Sequence, residues 1–280
     1  MEFFYAKWDA RALRIAGADA ADFLHRLSTT HVKRLAVGVA KPSLFLTGGG
    51  QMIASFELYR ESDASFVLIA DAPEFPALAQ HLERMHFSEN LERTELETQA
   101  WKFWRADAAA LKRAWQGALL AWPLGSDGLS AAAVFGENAR LCAAPAFAAE
   151  KSAPEFWEEM RIRAHLPRFG AEWDADARAL DVGFLNWIDR DKGCYPGQEV
   201  VEKSLNLGHP ARALVLVRGA RAPAFRLPAE LEAEGKPAGR LTSAAGGFGL
   251  AVVRWDKRLP GTRLTLPGSP GEFIVEKEES

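Results

Sequence analysis

Cysteine is scarce in this sequence: Cys142 and Cys194 are the only two in 280 residues. Two thiols so far apart do not make the disulfide framework of a small secreted domain. Nor do they supply the four ligands of a tetrahedral zinc site or a cysteine-held iron–sulfur cluster. The six histidines fall in no H-x-x-x-H or H-E-x-x-H spacing, so no stable metal is expected. No apolar run approaches the roughly 18 residues of a membrane-crossing helix. The first nine residues have neither the basic start nor the apolar stretch of a signal peptide. A soluble cytoplasmic protein, with no membrane partner, is the expectation. Positive charge is not in excess: 34 Lys and Arg face 37 Asp and Glu, a formal net charge of -3. That balance argues against a general nucleic-acid binder. There is no G-x-x-x-x-G-K phosphate loop. Gly246-Gly247-Phe248-Gly249 precedes a strand rather than a helix, unlike a dinucleotide fingerprint.

What is present reads as a folded chain of two or three compact units, 48% hydrophobic and 25% charged. Leu13 and Ile15 begin an apolar stretch that stops at Gly17. Asp19 then stands ready to cap a helix whose inward face is Ala20, Phe23, Leu24 and Leu27. Strands follow around Leu44-Phe45-Leu46 and around Phe56 and Leu58, which alternate with polar Ser55 and Glu57. Phe66-Val67-Leu68-Ile69-Ala70 is a wholly apolar strand, and Phe75, Leu78, Leu82 and Met85 repeat at helical spacing. This rhythm predicts an α+β layer with helices on one sheet face, spanning 1–90. A second α+β unit is expected over 91–210, with a helix near 107–115, strands near 118–122 and 131–135, and an Ala/Pro linker at 143–149. Ser152-Ala153-Pro154-Glu155 predicts a capped helix start. From 211 to 280, short strands are separated by proline and glycine with no helical pattern, which predicts a small antiparallel β-barrel.

The chemistry concentrates in Lys192-Gly193-Cys194-Tyr195-Pro196-Gly197-Gln198-Glu199. Tyr195-Pro196-Gly197-Gln198 fits a type II turn, with proline presetting the first central φ and glycine accepting a positive second one. Cys194 therefore enters a rigid turn, and Lys192 and Arg190 place positive charge nearby, which favours a thiolate. Gln198 and Glu199 offer groups suited to reading a ring edge that bears amino and carbonyl functions. The pattern alone is equally compatible with a turn whose cysteine only fills space. Cys142, in an apolar strand, reads as core.

These eight residues resemble the K-G-C-Y-x-G-Q-E signature of the YgfZ family, which is related to the aminomethyltransferase (T-protein) of glycine cleavage. Val200-Val201-Glu202-Lys203, Gly208, Arg212 and Leu214 continue the match. Ile162-Arg163-Ala164-His165-Leu166-Pro167-Arg168-Phe169-Gly170 and the stretch from Ile15 to Thr29 resemble two further family segments. His165 stands where the family usually has glycine, and Lys203 where it usually has arginine. The resemblance implies two ferredoxin-like α+β units before the barrel and tetrahydrofolate as bound ligand. It also implies a role in assembling or repairing iron–sulfur proteins, including those that thiolate tRNA, with iron–sulfur proteins or their assembly factors as partners and a monomeric chain. Cys194 is then the functional thiol, tuned by Lys192. Trp157, Trp8, Tyr195, Gln198, Glu199 and Arg212 are the implied folate contacts, Arg212 toward the glutamate tail. Working aminomethyltransferases carry an acidic pair in a G-x-x-x-D-D run; here the run is Gly50-Gln51-Met52-Ile53-Ala54-Ser55. That departure favours binding over turnover. A folate-dependent aminomethyltransferase or demethylase, and a non-catalytic scaffold with a vestigial pocket, are the alternatives.

Overall fold

The protein is described here by a computed structural model. The described residues are 4–104, 120–123, 129–136, 139, 149–150, 153–206, 208–220, 226–268 and 271–277. The helix expected at 107–115, most of the linker at 143–149, Cys142 and Ser152 lie outside them. The chain forms two compact units. Met1–Leu124, Gly128–Glu150 and Asn186–Val200 belong to the first; Lys151–Leu185 and Val201–Ser280 belong to the second. These divisions differ from boundaries at 90/91 and 210/211. Both sheets of the N-terminal half fall in one unit, and the signature segment joins it.

The first unit opens with β1 (Phe4–Trp8) and β2 (Ala10–Ala16), followed by α1 (Ala20–Leu27), β3 (Ala40–Leu46), β4 (Met52–Ser62), β5 (Ser65–Asp71) and α2 (Phe75–Met85). Then come β6 (Glu92–Leu96), β7 (Thr98–Trp104), β8 (Leu120–Pro123), β9 (Leu129–Phe135) and the short β10 (Ala149–Glu150). One antiparallel sheet runs β3-β4-β5-β2-β6, and a second runs β10-β1-β7-β9-β8. Phe23, Leu24 and Leu27 of α1, with Phe75, Leu78 and Leu82 of α2, share one buried cluster with Leu13, Phe45, Phe56, Phe66 and Leu68. Both helices therefore cover a single face of the first sheet, as the helical spacing predicts. Asp19 precedes α1 but makes no side-chain cap. Its carboxylate instead accepts the Asn90 N–H at 2.7 Å.

The other face of β4 departs from the sequence reading. Alternation places Ser55 and Glu57 on a polar face, yet Glu57 is only 4% exposed. Trp122 of β8 lies against it, so this face is covered as well. Burial raises the Glu57 carboxyl to about 8, and the indole N–H of Trp122 offsets part of the rise. Glu74, just before α2, is also buried. Its carboxylate accepts the Ser55 N–H at 2.8 Å and the Ser55 hydroxyl at 2.7 Å, and burial raises it to about 8.

In the second unit, α3 (Pro154–Arg163) starts after Ala153, with proline in its first turn. α4 (Gln198–Asn206) begins within the signature segment and runs into the second unit. The strands β11 (Arg212–Ala220), β12 (Ala229–Ala233), β13 (Lys236–Ala245), β14 (Gly247–Arg254), β15 (Arg263–Thr265) and β16 (Glu272–Val275) close a barrel in the order β11-β14-β13-β12-β15-β16. Val217, Leu241, Val253, Leu264 and Phe273 fill it. Gly239 lets β13 approach closely: a Cβ there would lie 2.3 Å from the Val252 carbonyl oxygen, and φ is +155°. Glu172, 1% exposed, fastens α3 to the barrel. It accepts from Arg161 at 2.8 Å, Thr242 at 2.8 Å and Ser243 at 2.5 Å. Among the described residues no helix is long and apolar enough to cross a membrane.

The Glu57 carboxyl gives stability a definite pH dependence. Its folded value, about 8, lies above the ordinary 4.5, so between these limits the folded state keeps a proton that the unfolded chain releases. Stability falls as pH rises through that window and levels off above it. Urea denaturation from pH 5 to 8 should show Glu57→Gln losing up to about 1 kcal/mol per pH unit of the wild-type slope. Identical slopes in the two proteins would contradict burial of an ionisable Glu57.

Candidate functional site

The signature segment is fixed before the chain reaches its cysteine. Thr29, wholly buried after the end of α1, donates its hydroxyl to the Trp187 carbonyl at 2.7 Å and accepts the Leu44 N–H at 2.9 Å. The Asp189 N–H returns to the Thr29 carbonyl at 3.0 Å. The Asp189 carboxylate accepts the His31 N–H at 2.7 Å and pairs with Lys41. Burial opposes its charge, but the His31 N–H and Lys41 prevail and hold its carboxyl below the usual range. Asp191 pairs with Arg34 at 2.5 Å.

Lys192 is the next fixed point, and the residue is only 4% exposed. The Nζ donates to the His25 carbonyl at 2.5 Å and to the Ser28 carbonyl, both at the C-terminal end of α1. Those carbonyls lack helical partners and sit at the negative end of the helix dipole, so a cation there is doubly favoured. The same Nζ lies 4.9 Å from the centre of the Tyr195 ring. Burial lowers the Lys192 ammonium to about 8, while Asp189 and Cys194 favour its charge. His25 beside it is lowered to about 4, first by burial and then by Lys192 and His31, so its imidazole is neutral at pH 7.

Beyond the cysteine, the expected turn is present. The Gln198 N–H donates to the Tyr195 carbonyl at 3.2 Å, and Gly197 has φ +84°, as a type II turn requires. This turn lies backbone against backbone on the turn joining β3 and β4. A Cβ on Gly197 would stand 2.7 Å from the Thr47 carbonyl oxygen and 3.0 Å from the Gly50 Cα. Gly50, with φ +77°, is equally close to Val200. Tyr195 is buried and Gln198 half-buried, while Glu199 is exposed in the first turn of α4. Cys194 is a free, exposed thiol between these two attachments.

The remaining sequence candidates have separate surroundings. Trp8 in the first unit donates its indole N–H to Asp71, sits edge-on to Trp122 at 6.0 Å and has Lys102 at 5.1 Å from its ring. Trp157, in the second unit, is half-buried on α3 and edge-on to Phe156 at 5.3 Å. Arg212 opens β11; its backbone N–H donates to Asp181 at 3.1 Å, and its side chain is exposed. Residues 192–199 thus form one continuous site with His25, Thr29 and Asp189, which the sequence reading did not single out. The adjacent buried hydroxyls in Ser28-Thr29-Thr30 were the available signal. Among the described residues, no group of three or more His, Cys, Asp or Glu is placed to hold a metal ion.

The two glycines of the signature give a direct test of this geometry. Gly197→Ala introduces a left-handed alanine and a backbone clash, and should cost more than about 2 kcal/mol in urea denaturation. Gly193→Ala meets only the His25 Nε2, at 3.9 Å, and should cost less than about 1 kcal/mol. Equal costs would contradict the close seating of the turn on Gly50.

Comparison with known proteins adds three likenesses. Residues 212–276 match the family model described as CAF17, C-terminal beta-barrel domain. An Arabidopsis thaliana protein named "Putative transferase At1g60990, chloroplastic" is 23% identical over 286 residues, covering 91% of this chain; the chain spans 66% of that relative's length. The crystal structure of glycine cleavage system aminomethyltransferase T from Bartonella henselae superposes with a TM-score of 0.84 at 19% identity, over 99% of this chain and 86% of that one. The chain therefore has the aminomethyltransferase T fold and ends in a CAF17-type β-barrel domain, consistent with the YgfZ family that its signature resembles.

Proposed function

We propose that this protein binds tetrahydrofolate in the cytoplasm and acts through Cys194 in the assembly or repair of iron–sulfur cluster proteins, indirectly supporting tRNA thiolation. The observation that carries this reading is an exposed thiol in a loop whose flanking residues are fixed. Lys192 holds one side and Gly197 the other, yet Cys194 is neither packed nor bonded. A cysteine that merely filled space would be buried, since free cysteine behaves as a small hydrophobe. A thiol presented from a rigid turn suits handling sulfur, iron or a redox partner. Lys192 acts as its positioning residue and contributes positive charge. The family name of the barrel and the T-protein fold support a folate ligand. Tyr195, Gln198 and Glu199 would meet it from the signature turn. Trp8 and Trp157 would supply aromatic surface and Arg212 a cation for the glutamate tail.

Turnover as an aminomethyltransferase is the weaker reading. The sequence reading found no carboxylate in the run from Gly50 to Ser55, and the structure brings the Glu74 carboxyl to Ser55. That carboxyl, however, is raised to about 8 and already accepts two hydrogen bonds from Ser55. At pH 7 it is a poor base for an amine.

Tetrahydrofolate titrated into the protein should perturb tryptophan emission with a micromolar dissociation constant, roughly 7–8 kcal/mol. Trp157→Ala should weaken binding by about 1–3 kcal/mol. Cys194→Ser should keep both fold and folate affinity while abolishing support of iron–sulfur enzymes in cells under oxidative stress. Binding no tighter than that of an unrelated pteridine removes the folate reading. Full complementation by Cys194→Ser removes the chemical role of the thiol.

A further inference from the structure

The side of α1 turned away from the core faces a cleft. Phe23, Leu24 and Leu27 point inward, which leaves Asp22, His25 and Arg26, at i, i+3 and i+4, on the other side. With Asp19, Lys33 and Glu89 they line a cleft of about 420 Å³. That volume lies within the range of small-ligand sites. All six residues belong to the first unit.

Charge in the cleft is divided by position. Asp19 and Asp22 stand at the start of α1, and Arg26 lies one turn beyond Asp22. Asp22 pairs with Lys33, but the two side chains are 65% and 52% exposed, so the pair is weak and easily exchanged. One oxygen of Asp19 accepts the Asn90 N–H at 2.7 Å. Arg26 donates from one amino group to Glu89 at 2.7 Å, and a guanidinium has further donors to offer. Glu89 is already satisfied, because it also accepts the Phe87 N–H at 3.0 Å and the Ser88 N–H at 3.2 Å. The His25 Nδ1 is buried and has no hydrogen-bond partner among the described residues. A fold seldom leaves such an atom unused.

We infer that this cleft binds a small zwitterion of dipeptide size. Asp19 and Asp22 receive its ammonium in place of Lys33, and Arg26 with the released Lys33 receives its carboxylate. Asp22 and Arg26 are separated by about 6 Å along the helix axis. The charged ends of a two-residue chain lie about 7 Å apart when extended, so each end meets its own charge. The cleft adjoins the signature loop through His25, whose carbonyl accepts from Lys192 and whose Nε2 is 3.9 Å from a Cβ built on Gly193. The inference does not depend on the folate reading.

The test follows the His25 ring signals by NMR at pH 7 during titration with glycylglycine, N-acetylglycylglycine and glycylglycinamide. Only the first carries both charges. Glycylglycine should shift the signals with a millimolar dissociation constant, and blocking either end should weaken binding at least about fivefold. Asp22→Asn and Arg26→Gln, both at exposed positions, should each weaken glycylglycine by about the same factor. Equal binding of the three compounds overturns the inference, as does preference for either blocked one, which would show a site for a single charge. No shift at about 10 mM glycylglycine, ten times a millimolar constant, also overturns it. Unchanged binding in both variants places the ligand elsewhere and has the same consequence.

Discussion

The signature loop depends on a buried ammonium. Lys192 brings its charge out of water and places it on the His25 and Ser28 carbonyls at the end of α1. Desolvating a lone ammonium costs several kcal/mol, and only well-aimed acceptors and the helix dipole offset it. That cost makes the contact specific, because the His25 and Ser28 carbonyls and the Tyr195 ring meet the ammonium together. Once Lys192 is seated, Gly193 and Cys194 have little freedom, and the Tyr195 turn settles on Gly50. The exposed thiol is therefore held by residues that never touch it.

The protein meets its other buried ionisable groups in two further ways. Glu172 is met by donors from Arg161, Thr242 and Ser243, and the resulting network ties α3 to the barrel wall. Among the described residues Glu57 has no such cation, and burial raises its carboxyl to about 8. Glu74 stays between these cases, satisfied by Ser55 but still protonated at neutral pH. The same physical penalty thus yields an anchor at Lys192, a fastening at Glu172 and a neutral acid at Glu57.

Much of this was legible in the sequence where the controlling forces are local. The faces of α1 and α2 follow from side-chain spacing, and the type II turn follows from Pro196 and Gly197. The barrel strands follow from short apolar runs between glycines and prolines. Non-local contacts were not legible. Glu57 alternates with Phe56 and Leu58 as a surface residue would, and only Trp122, 65 positions away by numbering from Glu57, shows that the second face is covered. Lys192 reads as a neighbour of Cys194, but its acceptors are backbone carbonyls far earlier in the chain, which no residue type announces. Asp19 has the identity of a helix cap, yet Asn90 competes for its carboxylate and wins.

Hydrogen exchange in Lys192→Met tests the central claim most directly, since methionine keeps much of the length of lysine without its charge. The account predicts faster exchange at the bonded amides of Asp189, Gln198 and Val200, with β4 amides protected as in wild type. Unchanged protection at those three amides would contradict it, because the loop would then be held in place without the buried ammonium.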